Sequence, residues 1–236
     1  MRERYKMPTL LIRMAAPLQA WGVDSKFETR RTGREPSKSG IVGFLAAAMG
    51  YRRNEDDKIA ELSRLNIGIR VDKEGTLLRD YHTVHGAKSA YVTNRYYLSD
   101  AIFLVGVESN DGELIERLAN ALEHPVFPLF LGRRSCPPTL PICLGTREKC
   151  LKDSLEAEPW LLPEWRRNKE SSTRYRFVMD ANETCGKTAV VQDLPLSFNP
   201  EHRKFGYRLV REYEKTNTES AEEKPQAFHD AFAELG

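Results

Sequence analysis

The order of apolar segments along the first half of the chain restricts the possible folds more than any other feature of this sequence. Thr9–Ala15 is short, apolar and closely followed by a proline, which predicts a first β-strand. Residues 39–49 carry apolar side chains at helical spacing and precede a glycine, which predicts a helix. Residues 66–71 alternate and residues 100–108 form a mostly apolar run, which predicts two further strands.

The segments around the last of these strands complete the pattern. Residues 75–97 are rich in Tyr, His, Thr and Arg, which predicts a long exposed β-hairpin. Residues 113–123 form an amphipathic helix after an Asn-Asp-Gly turn. The order strand, helix, strand, hairpin, strand, helix is that of a ferredoxin-like β-α-β-β-α-β unit, which is also the RNA-recognition-motif (RRM) topology. Its last strand is expected between residues 125 and 144, where prolines and glycines interrupt the chain.

These patterns predict an α+β chain with three parts. Residues 1–150 are expected to form the ferredoxin-like, RRM-like domain, with a long β-hairpin near residues 77–97. Residues 151–213 contain short runs typical of strands and are expected to form a small antiparallel β region. Residues 214–236 are acidic and poor in large apolar side chains, which predicts a mobile tail with a marginal helix near residues 226–235.

The basic residues are concentrated near the beginning of the chain. The net charge of all 236 residues is only +2, but residues 1–55 contain eleven Lys or Arg and five Asp or Glu. Residues 211–236 contain three basic and seven acidic residues. Such asymmetry is typical of a protein that binds a polyanion at one end. A set of solvated surface charges is the alternative interpretation.

The sequence disfavours several other classes of protein. The first residues are too charged for a signal peptide, and the longest apolar run, residues 41–49, is far shorter than the roughly 20 residues that span a bilayer. We therefore expect a cytoplasmic protein without membrane contact. Neither a metal nor a cofactor is expected, because the cysteines are too widely spaced for a typical zinc site and no nucleotide-binding fingerprint is present. The four cysteines are Cys136, Cys143, Cys150 and Cys185.

The basic segment 27–40 is the first candidate binding site, because it leads directly into the predicted helix of residues 39–49. Free N–H groups and the helix dipole favour an anion at a helix N-terminus, and Ser39 is the predicted N-cap. The spacing excludes a P-loop, since only four residues separate Gly33 from Lys38. A solvated loop before a capped helix is the alternative. The candidate phosphate ligands are Arg30, Arg31, Thr32, Arg34, Lys38 and Ser39.

A glycine followed by two arginines forms the second candidate site. Glycine permits close approach of a phosphate backbone and arginine supplies the charge, although an ordinary turn has the same composition. The candidate RNA-binding residues of this segment are Gly132, Arg133, Arg134 and Ser135.

The third candidate site lies in the predicted hairpin, where aromatic and His side chains alternate with cations in residues 79–88. Tyr81 and His82 are suited to stacking on unpaired bases. The same segment permits acid–base cleavage of RNA, because a His side chain exchanges protons near neutral pH and a Lys side chain can stabilise a phosphorane. The spacing fixes no second acid–base group, so stacking or packing is the favoured interpretation.

Three segments of the chain resemble one protein family. Residues 11–50 (LIRMAAPLQAWGVDSKFETRRTGREPSKSGIVGFLAAAMG), 79–88 (RDYHTVHGAK) and 130–146 (FLGRRSCPPTLPICLGT) are similar, in this order, to signatures of the CasD family. These are the family-five CRISPR-associated (Cas) subunits of type I-E Cascade complexes. The resemblance covers about two-thirds of the chain, and the part after residue 152 is outside it.

The resemblance implies an RRM-like domain with a protruding hairpin thumb at residues 77–97 and a smaller C-terminal β region. It also implies that the protein grips the 5′ handle of the CRISPR RNA (crRNA) and caps a helical backbone of CasC subunits. The large subunit CasA is expected nearby, and target DNA is reached only through the complex.

The resemblance further implies a non-catalytic subunit, since CasE cuts the precursor RNA in type I-E systems. Relatives in type I-C systems do cut the precursor, with Tyr, His and Lys side chains. The alternative function is therefore a metal-independent, repeat-specific endoribonuclease that uses Tyr81, His82 and Lys88. A scaffold that contacts only protein partners is a third possibility.

Overall fold

A computed structural model describes residues 7–26, 29–85, 90–162, 173–181 and 188–217. The helices in these residues are α1 (Lys38–Ala48), α2 (Asp56–Ser63), α3 (Gly112–Glu123) and α4 (Leu151–Ala157). The strands are β1 (Thr9–Ala15), β2 (Leu18–Gln19), β3 (Gly22–Lys26), β4 (Thr29–Thr32), β5 (Asn66–Lys73), β6 (Thr76–His85), β7 (Ala90–Ser99), β8 (Ile102–Glu108), β9 (Cys143–Arg147), β10 (Thr173–Asp180), β11 (Thr188–Ser197) and β12 (Lys204–Asn217). The prediction of an α+β protein is confirmed.

Seven of these strands form one antiparallel sheet in the order β11-β12-β10-β5-β8-β1-β9. β1 pairs with β8 along its whole length and with β9 on its other side. β10 pairs with β5, so the strands after residue 172 continue the sheet that the earlier part of the chain builds. The domain boundary near residue 150 stays a prediction, and the hydrogen bonds between β5 and β10 connect the chain across it.

Helices cover both faces of this sheet, because alternate residues of a strand point to opposite faces. Leu10 and Ile12 of β1 pack in the core with α1, α2 and α3, whereas Leu11 packs on the other face with α4. Helix α3 buries its predicted apolar face, and the Asp111 side chain caps it by accepting a hydrogen bond from the N–H of Leu114 at 3.0 Å. Each large apolar side chain that is fully buried contributes about 1.5–3 kcal/mol to this packing.

Helix α4 was not predicted from the sequence. Its side chains Leu151 and Leu155 fit against glycines of the sheet: a Cβ atom at Gly106 would lie 2.5 Å from Leu151, and one at Gly68 would lie 2.7 Å from Leu155. The buried guanidinium of Arg70 donates to three carbonyl oxygens within and just after the helix. A helix this short depends on such tertiary contacts more than on its own propensity, so its sequence alone gave no signal.

The predicted hairpin is present and belongs to a second sheet. β6 and β7 pair over ten residues each, from Thr76 opposite Ser99 to His85 opposite Ala90. The second sheet has the strand order β2-β7-β4-β3. In addition to its neighbours in this order, β7 pairs with β6. β4 pairs with β7 in parallel, so the basic segment after the first strand joins the base of the hairpin.

Two sequence predictions need correction. Helix α1 begins at Lys38 with Ser37 as its N-cap, two residues earlier than the predicted cap Ser39. The strand expected between residues 125 and 144 is β9, which begins only at Cys143, because five prolines interrupt the preceding residues. Residues 218–236, which include the predicted marginal helix, lie outside the described part of the chain, as does Cys185.

No helix among the described residues is long and apolar enough to cross a membrane. Within the same residues, no group of three or more His, Cys, Asp or Glu side chains is placed to hold a metal ion.

Candidate nucleic-acid interface

The base of the hairpin brings basic residues from three parts of the sequence together. Where β4 meets β7, Arg30 lies directly opposite Arg95. Arg31, the next residue of β4, is exposed. Partners that lie directly opposite each other in neighbouring strands project on the same face of the sheet, so Arg30 and Arg95 are neighbours.

Arg133 connects the glycine–arginine loop to this site. One Nη atom donates to the carbonyl oxygen of Arg30 at 3.1 Å, and the guanidinium lies 4.5 Å from the centre of the Tyr97 ring. Tyr97 is buried, so its ring is a fixed platform for the guanidinium. Arg134 and Ser135, the next two residues, are exposed. The first and second candidate segments are therefore one site, which the sequence could not establish.

Gly132 is required for this connection. Its φ angle is +84°, and a Cβ atom at this position would lie 1.7 Å from the carbonyl oxygen of Ala20. The N–H of Ala20 in turn donates to the carbonyl oxygen of Leu131 at 3.1 Å. The loop thus approaches the segment before β3 so closely that only glycine fits. Glycine is therefore needed at position 132 for the fold itself, whether or not a ligand binds there.

Thr32 has a structural role at the end of β4. Its hydroxyl accepts a hydrogen bond from the N–H of Trp21 at 2.8 Å and donates to the carbonyl oxygen of Gly33 at 3.0 Å. Both hydrogen-bonding directions of the hydroxyl are therefore used inside the protein. Thr32 shapes the strand that carries the arginines.

Arg34 is exposed but paired. Its guanidinium donates to both carboxylate oxygens of Glu74 at 2.9 Å. Burial alone would raise the pKa of Glu74, but the hydrogen bond and charge of Arg34, together with Arg176, outweigh it and hold the pKa below its usual value. Arg34 is therefore less available to a phosphate than Arg30 and Arg31, which form no ion pair with a carboxylate of the described residues.

Lys38 is not a surface residue, which corrects its prediction as a phosphate ligand. The residue is only 6% exposed. The ammonium group donates to Asp180 at 2.7 Å and to the carbonyl oxygen of Leu65 at 2.9 Å. The positive charge of Lys38, which the sequence predicts to be available at the start of the helix, is instead buried and neutralised by Asp180.

The N-terminus of α1 already holds an anion, and it is a carboxylate of the protein itself. The backbone N–H of Lys38 donates to Asp193 at 2.7 Å, and the hydroxyl of Ser37 accepts from the N–H of Gly40. Ser39, the predicted cap, lies with its hydroxyl 3.2 Å from that of Ser37. The physical argument for an anion at this helix end was sound, but the anion is internal.

Four charged side chains form the buried charge network (Lys38, Asp180, Asp193 and Arg208). Arg208 donates to both oxygens of Asp193, at 2.6 and 2.8 Å, and to the remaining oxygen of Asp180. Burial opposes the charge on Arg208, but the hydrogen bonds and charges of Asp193 and Asp180 outweigh it and raise the pKa of the guanidinium. The network joins α1 to the C-terminal strands β10, β11 and β12.

The hairpin displays exposed aromatic and apolar side chains. Tyr81 is 63% exposed and Tyr91 is 52% exposed. His82 is also exposed, and its Nε2 atom lies 2.8 Å from a carboxylate oxygen of Asp80. Because adjacent residues of a strand point to opposite faces, Tyr81 and His82 cannot stack on the same base. Lys88, the third residue of the cleavage hypothesis, lies outside the described residues.

Two residues of this site were missed by the sequence analysis, Arg95 and Tyr97. They occupy alternate positions of β7 and therefore share the face that also carries the side chain of Arg30. The alternation was readable once the hairpin was predicted, but the pairing of β7 with β4 was not. We call the resulting patch the hairpin-base surface (Arg30, Arg95, Arg133 and Arg134).

The comparisons with known proteins agree with this arrangement. The family described as CRISPR-associated protein (Cas_Cas5) matches residues 9–211. The chain belongs to this family. The resemblance noted from three sequence segments is thereby confirmed, and the match continues past residue 152 into the C-terminal strands.

Individual relatives give the same result. The chain is 38% identical, over 157 residues, to the CRISPR system Cascade subunit CasD of Escherichia coli (strain K12). The aligned region covers 58% of this chain and 70% of the relative. A solved structure described as a crystal structure of Cas protein has 40% identity and a TM-score of 0.68, with 87% and 94% of the two chains covered. A chain of a CRISPR RNA-guided surveillance complex has 30% identity and a TM-score of 0.72, with 88% and 90% covered.

Proposed function

We propose that this protein is a non-catalytic, crRNA-binding subunit of a type I-E CRISPR Cascade complex, which grips the 5′ handle of the crRNA. The observation that carries the proposal is the hairpin-base surface. Its four arginines form no ion pair with any carboxylate of the described residues. Unpaired arginines beside exposed aromatic side chains are what a protein needs to hold a single-stranded RNA by its phosphates and stack on its bases.

The fold is proposed to be ferredoxin-like and RRM-like. Support comes from the strand order β5-β8-β1-β9, with α1 following β1 and α3 following β8. This is the arrangement of a β-α-β-β-α-β unit into which the hairpin β6–β7 is inserted. We also propose that residues 1–150 form this unit, that residues 151–213 form a small antiparallel β region and that residues 214–236 form an acidic, mobile tail.

The proposed partners are the crRNA 5′ handle, the CasC backbone subunit and the large subunit CasA, with target DNA contacted through the complex. The proposed location is the cytoplasm. The relative in Escherichia coli is a Cascade subunit by its description, which supports an assembly role for this chain.

The endoribonuclease alternative is disfavoured by the hairpin. Tyr81 and His82 project on opposite faces of β6, so they cannot act together on one scissile phosphate. General acid–base catalysis needs its groups within hydrogen-bonding reach of the same substrate atoms. His82 is instead paired with Asp80.

Binding of the full chain to labelled single-stranded handle RNA, measured over a range of salt concentrations, tests the proposal. Arg30→Gln combined with Arg134→Gln should lower the affinity and reduce the slope of log K against log salt by about 0.7 for each lost phosphate contact. Arg174→Gln is the matched control, because Arg174 is exposed on β10, a strand of the seven-stranded sheet and not of the sheet that carries the hairpin-base surface. An unchanged slope in the double variant contradicts the proposed surface.

Incubation of the purified chain with labelled repeat RNA in the absence of metal tests the alternative. We expect no cleavage. A single cut at one position, lost in His82→Ala, would replace the proposed function by the endoribonuclease.

A further inference from the structure

The buried guanidinium of Arg176 on β10 connects three distant segments of the chain. Its side chain is 11% exposed, and each of its three nitrogen atoms donates to a different carboxylate. The distances are 2.9 Å to Glu35, 3.2 Å to Glu74 and 3.4 Å to Glu212. We call this group the Arg176 cluster (Arg176, Glu35, Glu74 and Glu212). Because a guanidinium is planar and its donors have fixed directions, these contacts fix the three carboxylates relative to one another.

Two of these carboxylates lie where the chain passes between its two sheets. Glu35 lies in the connection from β4 to α1, shortly after Arg30. Glu74 lies between β5, a strand of the seven-stranded sheet, and β6, the first strand of the hairpin. Arg34 strengthens this connection, because it donates to both carboxylate oxygens of Glu74 at 2.9 Å. The end of the arginine-bearing strand β4 and the entry to the hairpin are therefore both held to β10.

The charges of the Arg176 cluster favour this arrangement. Burial alone would lower the pKa of Arg176, but the hydrogen bond and charge of Glu35, followed by the charges of Glu212 and Glu74, outweigh it and raise the pKa of the guanidinium. Removal of one partner from a buried ion pair leaves the other charge uncompensated, so such contacts hold their segments firmly. The cluster also keeps Glu35 and Glu74 paired with cations other than those of the hairpin-base surface.

We propose that Arg176 is a positioning residue for RNA binding, which holds β4 and the hairpin entry in place and so sets the spacing of the arginines on the hairpin-base surface. The inference rests on the proposed function and adds to it a residue of the C-terminal strands. Arg176 is buried, so it acts through Glu35 and Glu74 and not by touching the RNA. Arg30 of β4 lies opposite Arg95 of the hairpin, so a shift of either segment separates the two.

Glu35→Gln separates positioning from a simple charge effect, because the two predict changes of opposite sign. If charge alone matters, the loss of a carboxylate near a bound polyanion strengthens binding. We expect instead that the full chain with Glu35→Gln binds labelled single-stranded handle RNA about fivefold more weakly than wild type. The slope of log K against log salt should keep its wild-type value, because no phosphate contact is lost. Equal or tighter binding overturns the proposal.

Variants of Arg176 test the same contact from its other side. Arg176→Gln should weaken RNA binding at least as much, and adding Glu35→Gln to it should cause no further loss, because both substitutions break one contact. Arg176→Lys should not restore the wild-type affinity, since an ammonium group lacks the forked donors. Arg147→Gln is the matched control and should bind RNA like wild type, because Arg147 donates to both oxygens of Glu158 from β9, at the opposite edge of the seven-stranded sheet. A further loss of equal size in the double variant shows that the two side chains act independently and contradicts the proposal.

Hydrogen exchange of the full chain without RNA tests the positioning itself. In Arg176→Gln, the amides of residues 29–37 and 74–78 should exchange several-fold faster than in wild type, whereas those of β8 should keep their rates, because the opening is local. Unchanged rates in residues 29–37, or an equal acceleration in β8, overturn the positioning role.

The two experiments keep this inference separate from the proposed function. If wild type binds no handle RNA, the proposed function fails, and the exchange rates still decide whether Arg176 holds these segments. If wild type binds and Glu35→Gln binds as tightly, only this inference fails.

Discussion

The buried charge network and the hairpin-base surface both contain basic side chains, but these side chains have opposite surroundings. In the buried charge network, each of the two cations contacts at least one carboxylate, at distances of 2.5–2.8 Å. On the hairpin-base surface, Arg30 lies opposite Arg95 across two strands, and two buried guanidinium nitrogens have no hydrogen-bond partner among the described residues. The charges of the first arrangement are balanced within the chain, whereas those of the second have no carboxylate partner in the described part of the chain.

This difference separates cations that are paired inside the protein from those proposed to bind RNA, although both kinds look alike in the sequence. Lys38 and Arg30 are eight positions apart in one basic segment. Lys38 is neutralised by a residue from the C-terminal strands, and Arg30 is not neutralised by any described carboxylate. Substitutions in the two regions should therefore affect different properties of the protein.

The largest expected effect is the loss of Arg208, because its removal leaves Asp180 and Asp193 buried without their main partner. Arg208→Met should lower the free energy of unfolding by about 3–5 kcal/mol, the usual cost of breaking a buried ion pair from one side. Urea denaturation followed by circular dichroism measures this change. Arg30→Gln provides the comparison and should alter the free energy of unfolding by less than about 0.5 kcal/mol. Equal losses in the two variants would remove the distinction between the regions.

A smaller effect is expected at the start of α1, where the helix cap and the buried charge network meet. Ser37→Ala removes the hydroxyl that accepts from Gly40 and should lower the free energy of unfolding by about 1 kcal/mol. Ser39→Ala should cost no more than a few tenths of a kcal/mol, since Ser39 lies inside the first turn. The same denaturation experiment compares the two variants. A larger loss of stability in Ser39→Ala than in Ser37→Ala would show that Ser39 is the N-cap, as predicted from the sequence.

The smallest effect concerns the pair of Arg34 and Glu74. This pair is exposed, like the hairpin-base surface, but its cation has a carboxylate partner, as in the buried charge network. The pKa of Glu74 is held below its usual value, so its contribution to stability is present above the unfolded pKa, near 4.3, and is lost as pH falls through the folded pKa. Glu74→Gln should therefore be slightly less stable than wild type at pH 7, by under about 0.5 kcal/mol for so exposed a pair. The difference should vanish near pH 3 in thermal unfolding experiments. A difference that grows on acidification would contradict the assigned direction of the shift.

The sequence predicted those parts of the fold whose signal is local. Thr9–Ala15 was placed at its true bounds, and α3 and the hairpin were found because their periodicity or turn chemistry is contained in a short window. Helix α4 was missed because its stability comes from Arg70 and from glycines on distant strands. The cap of α1 was misplaced by two residues because Ser37 and Ser39 are equally good candidates on residue type alone.

The candidate site was only half predictable for the same reason. The residue types of the hairpin-base surface were recognised at Arg30, Arg133 and Arg134, since arginine clusters next to glycine are informative by themselves. Their union into one patch depends on the parallel pairing of β4 with β7 and on the stacking of Arg133 on Tyr97. The internal use of Lys38 depends on Asp180, which is 142 positions away in the chain.

The pairing of β5 with β10 has a consequence for how the chain reaches its native state. During synthesis β5 emerges long before β10, and until residues 173–180 arrive its outer edge presents unpaired backbone N–H and C=O groups along an apolar strand. Such an open edge is a template for adding strands of other molecules, and contacts this distant in sequence form slowly. The C-terminal strands therefore act as an intramolecular cover against aggregation, and a chain that stops after α4 would lose that protection while keeping every arginine of the hairpin-base surface.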